Sequence, residues 1–233
     1  MKFLISIILI LTIINTNTVI AAEPILHSIV RVPKLKSENP PIIILLHGFG
    51  SNEQDLFSFA DKLPDRFLVI SIRAPHTIGK DSYAWFHVDF SKGKPVANLG
   101  EADKSSVLLL QFIEELKTQQ KFDDKQVYLC GFSQGAIISY SIGLTNPDKI
   151  KGILALSGRI LENIKPNVKV TEKLKELKIF ITHGTKDNVL VIDYARESYA
   201  YLKELGLNLT YQEYDERHTI NNAMFTDMLE WLK

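Results

Sequence analysis

The residues that could do chemistry begin with a serine between two glycines. Residues 131–135 read G-F-S-Q-G, which is the pattern G-x-S-x-G with Ser133 at its centre. A short apolar run precedes the pattern and predicts a buried strand, and an apolar stretch after it predicts a helix. In that setting the glycines permit a sharp turn that holds the serine hydroxyl out of the sheet. The pattern alone is weak, so it is the strand before and the helix after that predict a nucleophile.

A serine hydroxyl is a poor nucleophile at neutral pH unless a base takes its proton and an acid orients that base. His183 and His218 are the histidines that follow Ser133 along the chain, and Asp187 follows a predicted strand end. The order Ser133, Asp187, His218 is the one expected for a nucleophile on this kind of turn. A lone His218 among charged neighbours would be an ordinary solvated histidine, but three members at three strand ends favour a catalytic triad. For His183 we predict a structural role.

Negative charge develops on the substrate carbonyl oxygen during such an attack and needs two fixed N–H donors. One expected donor is the backbone N–H of Gln134, the residue after the nucleophile. The other is the backbone N–H of Phe49, because residues 47–50 read H-G-F-G and follow the first buried strand. Glycines there allow the backbone to approach a substrate closely. The alternative for this segment is a plain glycine turn.

These residues fall at strand ends in a chain that alternates strand and helix. Continuous β-branched runs predict strands buried on both faces, and apolar residues repeating every three to four positions predict amphipathic helices. This alternation predicts an α/β fold with a mostly parallel sheet, helices on both faces, and chemistry at the carboxyl ends of the strands. The predicted strands cover 25–32, 42–46, 67–72, 126–130, 150–156, 178–182 and 207–214, the helices cover 56–63, 102–119, 134–144, 191–205 and 220–233, and a long loop covers 74–100.

Composition excludes several classes of function. The 233 residues carry 27 Lys and Arg against 27 Asp and Glu, so the net charge is zero and broad binding to nucleic acid is not expected. With 45% hydrophobic and 23% charged residues, the chain is typical of globular proteins. The single cysteine, Cys130, excludes an intramolecular disulfide and a cysteine-rich zinc site. His27, His76 and His87 show no ligand spacing, so we predict no metal and no cofactor.

The first residues have the layout of a secretory signal peptide. A basic residue precedes an apolar run over 3–14, a polar stretch follows, and Val19 and Ala21 suit a signal-peptidase site. The run is shorter than the roughly 20 apolar residues that span a bilayer, which disfavours an uncleaved anchor. We therefore predict a signal peptide over 1–21 and a single domain over 22–233. A secreted or periplasmic protein without stable membrane insertion follows from this prediction.

Together these motifs resemble the phospholipase/carboxylesterase family of α/β-hydrolases, which includes the acyl-protein thioesterases. The resemblance covers most of the chain from residue 42 onward. It implies an α/β-hydrolase fold and hydrolysis of esters or thioesters through an acyl-enzyme on Ser133, without cofactor or metal. It also gives the backbone N–H groups of Phe49 and Gln134 the oxyanion role. The motifs are HGFG at 47–50, GFSQGA at 131–136, LSG at 156–158, HGTKD at 183–187 and His218.

The segment A-W-F at 84–86 resembles the part of the family in which an aromatic pair borders the acyl-binding groove. This implies that Trp85 and Phe86 contact substrate, and the alternative is that both belong to the core. Two positions depart from the family's pattern. His87 stands where an aspartate is common, and Arg217 precedes the last histidine where a smaller or apolar residue is usual.

Three functions are consistent with these motifs. The first is a serine carboxylesterase for small or acyl-chain esters. The second is a lysophospholipase or acyl thioesterase acting on lipids, with residues 74–100 forming an acyl groove or lid. The third is a hydrolase-fold binding module without catalysis, since a fold alone does not fix function. The signal peptide disfavours deacylation of cytosolic proteins, and the complete set of nucleophile, acid, base and donors favours catalysis.

Overall fold

The computed structural model of the protein describes residues 25–91 and 95–233. The predicted signal peptide lies outside these residues and stays a prediction. No helix within the two described ranges is long and apolar enough to cross a membrane. The strands are β1 (Ser28–Arg31), β2 (Ile42–Leu46), β3 (Leu68–Ile72), β4 (His76–Gly79), β5 (Ser82–Ala84), β6 (Val88–Asp89), β7 (Val96–Ala97), β8 (Val127–Phe132), β9 (Gly152–Leu156), β10 (Lys178–Gly184) and β11 (Leu209–Tyr214), and the α-helices are α1 (Gln54–Phe57), α2 (Leu99–Gln119), α3 (Gln134–Thr145), α4 (Glu172–Glu176), α5 (Ile192–Glu204) and α6 (Asn222–Trp231).

The main sheet has the strand order β1-β3-β2-β8-β9-β10-β11. β1 runs antiparallel to β3, and every other neighbouring pair in this sheet is parallel. This confirms the predicted α/β fold with a mostly parallel sheet. The order places β2 and β9 on either side of β8, and β10 between β9 and β11. Loops leaving these parallel strands at their carboxyl ends therefore meet along one edge of the sheet.

β2 shows why a continuous apolar run forms a strand that is covered on both faces. Its residues Ile42, Ile44 and Leu46 pack in one hydrophobic cluster, and Ile43 and Leu45 pack in another. Side chains alternate between the two faces of a sheet, so a strand buried on both sides needs apolar residues at every position. The first cluster includes residues of α2, α3 and α5, and the second includes residues of α1 and α6. Helices thus cover both faces, as predicted.

The prediction of a long loop over 74–100 is wrong for much of that range. β4 pairs with β5 and β6 pairs with β7, both antiparallel, so two small hairpins lie there. Strands of two to four residues are too short to show a period of two in the sequence. α2 also begins earlier than predicted, at Leu99, because the side chain of Asn98 accepts a hydrogen bond from the Glu101 backbone N–H and caps the helix.

Other short elements also differ from the sequence-based expectation. The helix predicted over 56–63 is divided into α1 and a 3-10 turn at Ala60–Lys62. A second 3-10 turn at Glu162–Asn167 and the helix α4 lie where no element was predicted. Helices of about one turn contain too few residues for a hydrophobic period to be recognised.

Candidate active site

The turn between β8 and α3 holds Ser133 in a strained backbone conformation. Its φ of 54° and ψ of −114° are rare for a residue with a side chain and cost on the order of 1–3 kcal/mol. The two glycines of the motif are required by packing. A Cβ on Gly131 would collide with the backbone of Gly135, and a Cβ on Gly135 would collide with the carbonyl oxygen of Leu46. The motif therefore reflects how closely this turn packs against β2.

Ser133, His218 and Asp187 form one continuous chain of hydrogen bonds. His218 Nε2 lies 2.9 Å from Ser133 Oγ, and His218 Nδ1 lies 2.6 Å from Asp187 Oδ2. With its proton on Nδ1, His218 donates to Asp187 and its Nε2 accepts from the Ser133 hydroxyl. Ser133 is 8% exposed, so the hydroxyl lies just below the surface. The structure thus brings the three residues together in the arrangement expected from their order, and their catalytic roles stay a prediction.

The Asp187 carboxylate is buried, yet it is held in its ionised form. Burial alone would raise its pKa, but hydrogen bonds from His183, from His218 and from two backbone N–H groups outweigh burial and keep the pKa well below its ordinary value. The backbone donors are Val189 and Leu190, at 2.8 and 2.9 Å from Oδ1. The orientation of the carboxylate is therefore fixed, since Oδ1 faces the backbone and Oδ2 faces His218.

His183 lies fully buried behind the acid. Its Nε2 is 2.6 Å from the carbonyl oxygen of Leu190 and 3.2 Å from Asp187 Oδ2. The sequence predicts a structural role for His183 at the turn, and in the structure its ring also contacts the Asp187 carboxylate. Next to it, Gly184 has no room for a side chain, because a Cβ there would collide with the carbonyl oxygens of Glu216 and Arg217. The loop that carries His218 thus rests directly on the end of β10.

The loop of residues 47–50 is set by a buried histidine that the sequence analysis did not single out. His47 Nε2 accepts from the Ala74 backbone N–H at 3.0 Å, so its proton is on Nδ1, which donates to Gly48 O at 2.7 Å. Burial lowers the pKa of His47, which favours this neutral form. The N–H of a trans peptide points away from its C=O, so fixing Gly48 O aims the Phe49 N–H to the opposite side. Gly48 adjoins the nucleophile, since a Cβ on it would lie 3.4 Å from Ser133 Cβ.

Both expected oxyanion donors are available for a ligand. Within the described ranges, the backbone N–H groups of Phe49 and Gln134 have no hydrogen-bond acceptor. Gln134 is the first residue of α3, where the helix dipole favours negative charge nearby. The N-terminus of α3 thus directly follows Ser133, and neither N–H group has an acceptor among the described residues. The oxyanion role of these two groups stays a prediction.

For Trp85 and Phe86 the structure supports the alternative that both belong to the core, and not a position at the border of an acyl-binding groove. The structure buries both in the core, with Trp85 0% and Phe86 2% exposed. Trp85 Nε1 donates to His47 O at 2.9 Å, so the indole supports the 47–50 loop from below. The Gln134 side chain accepts from the Trp85 backbone N–H at 3.0 Å and donates to Phe86 O at 2.8 Å. A buried indole with a partner for its N–H is the arrangement expected of core tryptophans.

The side chain of Gln134 has a structural role that the sequence analysis did not predict. Its amide accepts from one backbone group and donates to another, which fixes the 84–87 segment beside the turn that holds Ser133. The nearest sequence clue is a buried polar residue at the start of an apolar helix, because such a side chain must find partners. The clue does not say which segment supplies them.

Two exposed aromatic rings lie beside this site. Phe49 is 41% exposed and Phe90 is 64% exposed, and their ring centroids are 6.2 Å apart in an edge-to-face arrangement. Phe49 follows Gly48, which adjoins Ser133. Exposed aromatic pairs at a concave or flat polar site offer apolar contact to a ligand.

Comparison with known proteins gives a consistent result. The profile of the phospholipase/carboxylesterase family matches residues 27–233. Acyl-protein thioesterase 1 of Candida albicans is 28% identical over 228 residues, which cover 88% of this chain and 96% of that protein. Esterase PE8 superposes with a TM-score of 0.75 at 27% identity, over 89% of this chain and 97% of that one. A carboxylesterase of Bacillus cereus has the same fold, with a TM-score of 0.76 at 21% identity, over 89% and 93% of the two chains. The chain belongs to the phospholipase/carboxylesterase family of α/β-hydrolases, a family of carboxylesterases and acyl-protein thioesterases.

Proposed function

We propose that the protein is a serine carboxylesterase that hydrolyses carboxylic esters through an acyl-enzyme on Ser133. The observation that carries this proposal is the hydrogen-bonded chain from Ser133 Oγ through His218 to Asp187, at 2.9 and 2.6 Å. The strained backbone of Ser133 supports the same chemistry, as do the backbone N–H groups of Phe49 and Gln134, which have no acceptor among the described residues. Membership of a carboxylesterase and thioesterase family agrees with it.

Acylation begins when Ser133 Oγ attacks the carbonyl carbon of the ester and His218 Nε2 takes the hydroxyl proton. The carbonyl oxygen becomes an oxyanion, which the backbone N–H groups of Phe49 and Gln134 stabilise. His218 is then an imidazolium, and Asp187 stabilises that charge without taking its proton. Collapse of the tetrahedral intermediate breaks the bond to the leaving alcohol, which receives the proton from His218 Nε2.

Deacylation repeats these steps with water in place of the serine. His218 Nε2 takes a proton from water as its oxygen attacks the acyl carbonyl on Ser133, and the same two N–H groups hold the second oxyanion. The intermediate then expels Ser133 Oγ, which regains its proton from His218. The acid leaves as the product and the enzyme returns to its starting state, so no cofactor is consumed.

A second candidate, an acyl thioesterase or lysophospholipase, is favoured by the exposed, paired rings of Phe49 and Phe90, because Phe49 directly follows Gly48, which adjoins Ser133. An acyl chain leaving the carbonyl at Ser133 would gain apolar contact there, and longer chains would gain more. A short-chain carboxylesterase has no use for this surface. The two candidates therefore differ in their preferred acyl length.

Hydrolysis of p-nitrophenyl esters from acetate to palmitate tests both candidates. We expect turnover of at least one ester by the purified protein and a kcat/KM lower by about 10⁴-fold or more in Ser133→Ala. A peak at long chains that Phe90→Ala shifts to shorter ones supports the lipid substrates, with acetate turnover as the internal control. A peak at short chains, unchanged by Phe90→Ala, supports the carboxylesterase. Turnover by Ser133→Ala at the wild-type rate would contradict the proposal.

We also propose that residues 1–21 direct the protein out of the cytoplasm and are then removed. The apolar run in this segment supports this, and the family match begins only at residue 27. Expression of the full chain in a secretion-competent host should give extracytoplasmic protein whose N-terminus is Ala22, or Glu23 if cleavage follows the second alanine. An intact Met1 on protein recovered from the cytoplasm would contradict the proposal.

A further inference from the structure

Three side chains that can ligate a metal converge on the surface beside the 84–87 segment. They are His76 in β4, His87 just after Phe86, and Glu101 in the first turn of α2. Their potential ligand atoms all lie within 4.8 Å of one another. The two imidazole rings are 5.3 Å apart between centroids, and His87 Nδ1 lies 2.8 Å from Glu101 Oε2.

The fold, and not the sequence spacing, brings these residues together. Antiparallel pairing in the first hairpin sets His76 opposite Ala84. The chain then passes through the segment that Gln134 fastens and reaches His87 next to His76. The sequence predicted no metal site because the histidines show no ligand spacing along the chain. That spacing gives no information here, since the hairpin brings residues together that are distant in sequence.

We propose that His76, His87 and Glu101 bind a divalent transition-metal ion, with Zn²⁺ as the expected occupant. Two imidazoles and one carboxylate are a donor set that suits Zn²⁺ better than Mg²⁺ or Ca²⁺, which prefer oxygen ligands throughout. Three protein ligands leave a fourth tetrahedral position for water. Ligand atoms in such a site are about 3.3 Å apart for bonds of about 2.05 Å, so side-chain rotation at the exposed His87 and the partly buried His76 completes the geometry.

Hydrogen bonds already hold the Glu101 carboxylate in place next to His87. The backbone N–H of His87 donates to its Oε2 at 2.7 Å, and the Glu101 backbone N–H is fixed by the Asn98 cap. As an exposed hydrogen-bonded pair alone, Glu101 and His87 would add little to stability. A metal bound across both histidines would instead connect β4, the 84–87 segment and α2.

A bound metal ion would therefore stabilise the 84–87 segment, which lies next to the turn that holds Ser133. A ligand that binds the folded state stabilises it in proportion to the logarithm of its concentration over its Kd. At a hundredfold excess over Kd, Zn²⁺ should raise Tm by about 5 °C or more in a chain of this size. The site lies outside the hydrogen-bonded chain of Ser133, His218 and Asp187, so its test does not depend on the proposed esterase activity.

The experiment uses tag-free protein treated with EDTA, dialysed, and titrated with ZnCl₂ by isothermal titration calorimetry. We expect one site with a Kd on the order of 1 µM. His87→Ala and Glu101→Gln should weaken binding at least tenfold and remove the Tm increase. His27→Asn is the matched control, because His27 also pairs with a carboxylate, Glu53, but lies outside the cluster; it should leave binding unchanged.

A spectrum gives an independent readout. Co²⁺ in place of Zn²⁺ should show the intense visible absorption of a four-coordinate ion in the wild-type protein and in His27→Asn, and lose it in His87→Ala. MgCl₂ should cause no Tm increase. Absence of Zn²⁺ binding at 100 µM, or binding of equal strength in the wild type, His87→Ala and Glu101→Gln, would overturn the proposal.

Discussion

Alanine at position 133 is expected to lower kcat/KM for p-nitrophenyl esters by about 10⁴-fold or more, because no other group replaces the nucleophile. Residual turnover above the uncatalysed rate would come from the Phe49 and Gln134 N–H groups acting on bound ester. The change removes one oxygen, whose hydrogen-bond partner within the described part of the chain is His218. Ser133→Ala should therefore fold like the wild type, and an equal Tm checks this.

A matched control is available in the same helix region. Ser141 lies on α3 and its hydroxyl donates to the Ile137 carbonyl, away from the triad. Ser141→Ala removes the same oxygen from the same kind of residue and should keep kcat/KM within about twofold, since a helix-internal hydroxyl contributes little to stability or chemistry. Loss of activity in Ser141→Ala as large as in Ser133→Ala would show that the assay responds to packing and not to the nucleophile.

The second large effect is expected from Asp187→Asn, which should lower kcat by about 10⁴-fold at neutral pH. The reason lies in how this carboxylate is held. Oδ1 accepts from the backbone N–H groups of Val189 and Leu190, so the asparagine oxygen must take that place and its NH₂ must face His218. His218 would then accept on Nδ1 and carry its proton on Nε2, where it can no longer take the proton of Ser133.

Asp215→Asn is the control for Asp187→Asn. Asp215 is an exposed aspartate between β11 and His218, and its carboxylate pairs with Lys186 on the surface. Exposed ion pairs contribute little, so activity and Tm should stay near the wild-type values. Wild-type kcat in Asp187→Asn would mean that another carboxylate orients His218 and would contradict the assignment of the acid.

The strand order explains why these residues meet although they are far apart in sequence. Ser133 directly follows β8, and the neighbouring strand β2 leads into the 47–50 loop at the same end of the sheet. β10 and β11 are adjacent and parallel, so the loops after them place Asp187 beside His218. Backbone hydrogen bonds from Thr185 and Lys186 to the strand and loop around β11 fasten the two loops together.

The fold and the strained turn at Ser133 could be predicted because their causes are local. β2 is apolar at each of its five positions, which only a strand covered on both faces requires. The glycines beside Ser133 are required by collisions within a few residues and with the neighbouring strand. The fold implies that the triad members follow in the order serine, acid, histidine. Asp187 and His218 could therefore be predicted as the acid and the base from the sequence.

The supporting residues could not be predicted, because their partners depend on tertiary packing. Nothing near His47 in the sequence indicates that its ring accepts from Ala74 and fixes Gly48. The Gln134 side chain reaches a segment that is distant in sequence, and that segment is positioned by hairpins too short to recognise. The same hairpins bury Trp85, which the family resemblance had assigned to the groove wall.

The central claim is that Ser133 is an activated nucleophile, and covalent labelling tests it most directly. The purified protein would be treated with a fluorophosphonate, and its intact mass and tryptic peptides measured. We predict one adduct per chain on the peptide that contains Ser133, none on Ser133→Ala, and labelling slowed at least a hundredfold in Asp187→Asn. Absence of an adduct on native protein, or labelling of Ser133→Ala at the wild-type rate, would contradict the account and favour a hydrolase-fold binding module.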